Sequence, residues 1–75
     1  MIRYTLSNPA DSTAGDTGLL ASDGFEMPDE WLVEELERYG CTHVARYTGA
    51  TWYDDGLLEW EADLVGGELV KYETY

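Results

Sequence analysis

Positive charge is scarce in this chain of 75 residues, which has four Lys and Arg against sixteen Asp and Glu and a net charge of −12. Direct binding to DNA or RNA needs a cationic surface that displaces counterions from the phosphates. Attraction to anionic membrane lipids needs clustered cations for the same reason. We therefore expect the chain to bind neither nucleic acid nor a membrane surface directly.

Cysteine and long apolar runs are scarce as well. The single cysteine, Cys41, excludes an internal disulfide and a cysteine-based zinc site, which agrees with a reducing cytoplasm. No apolar run approaches the roughly 18 residues of a membrane span, and the first residues carry no hydrophobic stretch of the signal-peptide kind. We expect a cytoplasmic protein.

The apolar content is nevertheless high enough for a folded chain, at 44% with 13% aromatic residues. We expect one domain over residues 1–75. Ile2, Tyr4 and Leu6 alternate with polar residues, which predicts a first strand. Residues 7–24 are rich in Ser, Thr, Gly, Asp and Ala, and they predict a long loop with one short helical turn.

A helix is predicted from Pro28 to about Tyr39. Proline suits the first helical position, and Gly40 supplies a C-terminal stop. The buried stripe is expected to consist of Leu32, Val33, Leu36 and Tyr39. The opposite face carries Glu30, Glu34 and Glu37.

The second half of the chain predicts three further elements: a strand over residues 42–48, a loop over 49–56 and a hairpin. In the hairpin, Leu58, Trp60, Ala62 and Leu64 alternate with Glu59, Glu61 and Asp63. Gly66-Gly67 then turns the chain into a last strand that contains Val70. The predicted fold is α+β, with a small antiparallel sheet of three or four strands and one main helix on its apolar face. Its core is expected to include Tyr4, Leu32, Leu36, Trp60 and Val70.

Catalytic and metal chemistry find little support in the sequence. Cys41 and His43 lie two residues apart, but a nucleophile and its base must converge and need a third group to orient the base. A buried cysteine and an ordinary histidine are the simpler interpretation. One histidine with scattered carboxylates also lacks the spacing of a transition-metal or calcium site. We expect no enzyme activity, no cofactor and no bound metal.

The arrangement of acidic residues is more informative. On one strand face, Glu59, Glu61 and Asp63 would stand about 6.7 Å apart, about twice the 3.4 Å rise per phosphate of one DNA strand. Glu30, Glu34 and Glu37 form a second row, on the helix. Such rows can imitate a nucleic-acid backbone and enter the basic groove of a nucleic-acid-binding protein. The glycine-bounded loop adds Trp52, Tyr53, Asp54 and Asp55 as candidate contact residues, because aromatic side chains supply much interface energy. Packing of Trp52 back onto the sheet is an equal alternative.

In size and charge pattern the whole chain resembles small phage-encoded inhibitors of host defence, especially anti-CRISPR proteins that act as DNA mimics, and some anti-restriction proteins. The resemblance implies a protein target with a basic DNA-binding face, such as a CRISPR surveillance complex in the host cytoplasm, whose engagement of target DNA would be blocked. An immunity protein or antitoxin that neutralises a nuclease would use similar electrostatics. An acidic surface adapted to high salt is the third possibility. Self-repulsion at this net charge favours a monomer.

Overall fold

The computed structural model describes residues 1–10, 17–21, 26–51, 53, 54 and 56–72. They form a five-stranded antiparallel sheet and one helix, so the α+β prediction is confirmed. The strands are β1 (Ile2–Ser7), β2 (Thr17–Ala21), β3 (His43–Thr48), β4 (Leu57–Val65) and β5 (Glu68–Tyr72), and the helix is α1 (Asp29–Tyr39). The strand order is β2-β1-β3-β4-β5, which leaves β2 and β5 at the two edges.

The strand β2 was not expected, and the prediction of three or four strands is therefore wrong. It pairs antiparallel with β1, with Tyr4 opposite Leu19, and the side chain of Leu19 packs against the core. The small polar residues around it suggested a loop, but a free edge of β1 offers hydrogen-bonding partners to a short neighbouring strand whatever its composition. The described residues of this segment form no helix, and residues 11–16 and 22–24 lie outside the described part.

The helix α1 begins and ends almost where the sequence predicts. The helix begins at Asp29, one residue later than expected, so Pro28 is its N-cap. The carbonyl of Pro28 accepts a hydrogen bond from the amide of Leu32 at 3.1 Å. At the other end Gly40 adopts a left-handed conformation (φ 68°), and the amide of Cys41 donates to the carbonyl of Leu36 at 2.8 Å. With 11 residues α1 cannot span a membrane, and no other described segment forms a helix that could.

The core lies between α1 and one face of the sheet. Its buried members are Ile2, Tyr4, Leu6, Leu32, Leu36, Cys41, Val44 and Ala62. Tyr39 was expected among them but is 46% exposed, because the turn at Gly40 directs Cys41 into the core instead. Val70 was also expected there but is 52% exposed, and its neighbour Leu69 packs against the core.

A β-bulge in β4 explains a further difference. Arg46 lies opposite Trp60, and Tyr47 lies opposite Leu58, so Glu59 is an extra residue without a partner on β3. The predicted alternation that placed Leu58 in phase with Trp60 therefore breaks at Glu59. Trp60, Ala62 and Leu64 face the helix, as predicted.

The other face of the sheet carries no helix in the described structure, and we call it the open face. The register of β3, β4 and β5 places on it His43, Ala45, Tyr47, Leu58, Glu61, Asp63, Val65, Glu68, Val70 and Tyr72. The outer surface of α1 and the open face thus lie on opposite sides of a two-layer molecule.

Candidate partner-binding surface

Three acidic side chains form the helix row, which consists of Glu30, Glu34 and Glu37. All three are exposed, and none has an ion pair within the described residues. At 1.5 Å per residue the row is about 10.5 Å long, with neighbours about 6 and 4.5 Å apart along the helix axis. Three negative charges over this length approach the charge density of one DNA strand, about one phosphate per 3.4 Å.

The basic side chains neutralise other carboxylates. Arg38 pairs with Glu35 at 3.4 Å, one turn along α1. Lys71 Nζ lies 3.0 Å from Asp29 Oδ1 and 4.8 Å from the centroid of the Trp60 ring. These cations therefore leave the helix row uncompensated.

Arg46 is the buried charged residue of the described chain. Its Nη1 lies 2.7 Å from Glu26 Oε1, its Nε lies 3.0 Å from Glu59 Oε2, and its guanidinium carbon lies 5.8 Å from the centroid of the Tyr4 ring. Burial acts to lower the pKa of Arg46, but the hydrogen bond to Glu26 and the electrostatic effects of Tyr4, Glu59 and Glu26 together outweigh burial and raise it. The position of Arg46 in phase with the apolar Val44 is a signal in the sequence for a charge on a buried face, although no site was predicted there.

The carboxylates of Glu61 and Asp63 hold His43 on the open face. His43 Nδ1 lies 3.0 Å from Asp63 Oδ1, and Nε2 lies 3.1 Å from Glu61 Oε1. A neutral imidazole carries one N–H, so only the doubly protonated ring can donate to both acceptors. His43 therefore bridges two of the carboxylates that were expected to face a partner.

Tyr72 borders this cluster. Its hydroxyl lies 3.4 Å from His43 Nδ1, and its ring is tilted against the imidazole with 6.3 Å between centroids. Partial desolvation by its neighbours raises the pKa of the Tyr72 phenol, and the negative charges of Asp63 and Glu61 raise it further. Val70, on the same strand face, is exposed beside it.

The expected row of three carboxylates on β4 is not formed. Glu61 and Asp63 share the open face, but the bulge directs Glu59 to Arg46, whose side chain lies on the helix-facing side. The prediction of one acidic strand face is therefore wrong for Glu59. Because Glu61 and Asp63 also lie on the side of the sheet opposite the helix row, a flat partner surface cannot contact both sets.

The loop between β3 and β4 presents Tyr53, which is 99% exposed. The loop is held by hydrogen bonds from the amide of Thr51 to the carbonyl of Asp54 (2.7 Å) and from the amide of Gly56 to Asp54 Oδ1 (2.9 Å). Asp54 thus both shapes the turn and remains exposed. Trp52 and Asp55, the other two candidates from this loop, lie outside the described residues.

Cys41 and His43 do not converge. Cys41 precedes β3 and lies in the core, where its Sγ is 3.7 Å from the carbonyl oxygen of Tyr39, whereas His43 lies on the open face. Over the described residues, no group of three or more His, Cys, Asp or Glu side chains is placed to hold a metal ion.

A groove of about 470 Å³ opens between the start of α1 and the β4–β5 turn. Its lining consists of Asp29, Glu30, Val33, Gly67, Glu68 and Leu69. Val33 and Leu69 supply apolar surface, and Asp29 and Glu30 add two carboxylates on the helix side. The groove has no local signal in the sequence, because it combines residues from the helix and from the hairpin that are far apart in the chain.

Comparison with known proteins found no matching family model, no matching curated protein and no matching solved structure.

Proposed function

We propose that this chain is an acidic inhibitor that binds the basic nucleic-acid-binding surface of another protein and excludes DNA or RNA from it. The observation that carries this proposal is the helix row. Glu30, Glu34 and Glu37 are exposed on a rigid helix and uncompensated by cations, so they present a linear array of negative charge. Such an array is attracted into clefts that have evolved to hold phosphates.

The arrangement of the remaining charges supports the same function. A surface that serves only hydration can carry its carboxylates anywhere, whereas here Arg38, Arg46 and Lys71 form their ion pairs with carboxylates outside the row. Tyr53 adds an exposed aromatic side chain of the kind that anchors interfaces. A CRISPR surveillance complex is the proposed target class, and a nuclease neutralised by an immunity protein or antitoxin is the alternative.

The test is a competition experiment on two purified targets, a CRISPR surveillance complex and a non-specific DNase, each bound to a labelled DNA duplex. The chain should displace the duplex from one of them, and the effect should fade as salt shortens the Debye length from about 10 Å at 0.1 M to about 3 Å at 1 M. Displacement from the complex supports the inhibitor of host defence, and displacement from the DNase alone supports the immunity function. Simultaneous binding of the duplex and this chain would contradict a shared site.

Two triple variants locate the binding face. Glu30→Gln, Glu34→Gln and Glu37→Gln together remove three negative charges and take the net charge from −12 to −9. The control, Asp54→Asn, Glu61→Gln and Asp63→Asn, makes the same change elsewhere. If each exposed carboxylate contributes about 0.5–1 kcal/mol, the helix variant should bind about tenfold or more weakly. A larger loss in the control triple would overturn the assignment to the helix row.

A further inference from the structure

The strand β5 ends the sheet with unpaired backbone groups. Gly66 and Gly67 have φ values of 59° and 82°, as in the two-residue turns that close tight hairpins. In such a hairpin the pair next to the turn, Val65 and Glu68, exchanges both hydrogen bonds, and bonded pairs then alternate along the strand. The N–H and C=O groups of Leu69 and Lys71 therefore point outward, and no described residue is bonded to them.

The acidic groove lies at this same edge. Leu69 and Glu68 belong to both the edge strand and the groove, and α1 forms the other wall with Asp29, Glu30 and Val33. Within the described residues, Glu30 has no ion pair, so its carboxylate is free to bind a cation in the groove. A strand added beside β5 would direct every second side chain toward α1 and into this groove.

The charge of the groove selects the occupant. A long cationic side chain can lay its aliphatic stem on Val33 and Leu69 and bring its charged end to Glu30. Lys71 already shows this arrangement at the same edge, with its ammonium group against Asp29 and over the Trp60 ring. A second copy of the chain also has a net charge of −12, so electrostatic repulsion opposes the pairing of two copies through β5.

We propose that β5 accepts an extended, arginine- or lysine-containing segment of the basic partner as a sixth strand, with alternate cationic side chains in the groove between β5 and α1. This inference rests on the proposed function, because it names how the same partner is held. Main-chain hydrogen bonds to Leu69 and Lys71 would supply affinity, and the groove carboxylates would supply selectivity for cations.

The test uses a short synthetic peptide of alternating threonine and arginine and a control peptide methylated on every backbone nitrogen. The two carry the same charge, but the control has no backbone donors. The first peptide should shift the amide NMR signals of Leu69 and Lys71 and slow their hydrogen exchange, and the control should bind about tenfold or more weakly. Equal binding of the two peptides, or no binding of either, would overturn strand addition.

Matched protein variants test the groove. Glu30→Gln removes a groove carboxylate, and Glu37→Gln makes the same charge change outside the groove. Only Glu30→Gln should weaken binding of the arginine peptide, and equal weakening by the two variants would overturn the role of the groove. Sedimentation that showed a dimer with protected Leu69 and Lys71 amides, without peptide, would instead assign the edge to self-association.

The outcomes also separate this inference from the proposed function. A peptide that fails to bind, together with nucleic-acid displacement that depends on the helix row, would remove strand addition and leave the inhibitor function. A peptide that binds as expected, together with no displacement of nucleic acid from any target, would leave the edge site and remove the inhibitor function.

Discussion

Two leucine-to-alanine substitutions measure how much of this small fold depends on contact between helix and sheet. Leu36 on α1 is fully buried, whereas Leu57 at the start of β4 is 78% exposed. Each substitution removes the same three carbon atoms, and a buried carbon contributes about 0.8 kcal/mol. With a term for the cavity left behind, Leu36→Ala should lower the free energy of unfolding by about 3 kcal/mol. Leu57→Ala should lower it by about 0.5 kcal/mol.

The difference between these two losses is large compared with the total stability of the domain. A domain of this size has a stability of about 3–5 kcal/mol, so Leu36→Ala should leave a measurable unfolded fraction at room temperature. Its melting temperature should fall by about 12 °C or more, against about 2–4 °C for Leu57→Ala. Urea unfolding followed by circular dichroism gives both free energies, provided that the urea dependence of the two variants is the same. Equal losses at the two positions would refute the packing of α1 on the sheet.

Three further substitutions address the loop, the open face and the buried arginine. A Cβ at Gly56 (φ 82°) would clash with the backbone at the end of β3, so Gly56→Ala should lower the free energy of unfolding by about 3 kcal/mol or more. Gly66→Ala, where a Cβ meets open space, should lower it by about 1 kcal/mol. Equal melting temperatures of the two variants would contradict this. Since the pKa of Tyr72 is raised above 10.0, the folded chain keeps this proton at pH values where the unfolded chain has lost it. Stability should therefore fall as the pH rises above about 10, and Tyr72→Phe should show a smaller fall in pH-dependent melting. Arg46→Met should lower the free energy of unfolding by only about 1–2 kcal/mol, because the partner carboxylates are exposed enough to regain water. If urea unfolding shows an equally stable variant, the ion pairs add nothing to stability.

The elements that the sequence predicts well carry their signals locally. The alternation of β1, the stop at Gly40 and the Gly66-Gly67 turn each depend on residues that are adjacent in the chain, and the structure confirms all three. The strand β2 was not predicted, because it forms on the free edge of β1, and that edge exists only in the assembled sheet.

Burial was harder to predict than secondary structure. Tyr39 and Val70 are apolar at suitable spacings, but their exposure depends on where α1 ends and on which face of β5 meets it. For the candidate site, the sequence correctly marks Glu30, Glu34, Glu37 and Tyr53 as exposed side chains. It could not foresee that Glu61 and Asp63 bind His43, because cross-strand contacts follow from a register that the sequence alone does not fix.

The bulge at Glu59 has a consequence for which changes of length the chain can tolerate. Side chains in a strand change faces with every residue, so loss of one residue from the regular part of β4 would turn all the positions beyond it to the wrong side of the sheet. Glu59 has no partner on β3, and its loss would leave the pairing of Trp60 through Val65 intact. Chains related to this one can therefore differ in length at this point of the strand, and an alignment of β4 must allow a gap inside a strand rather than only in the loops around it.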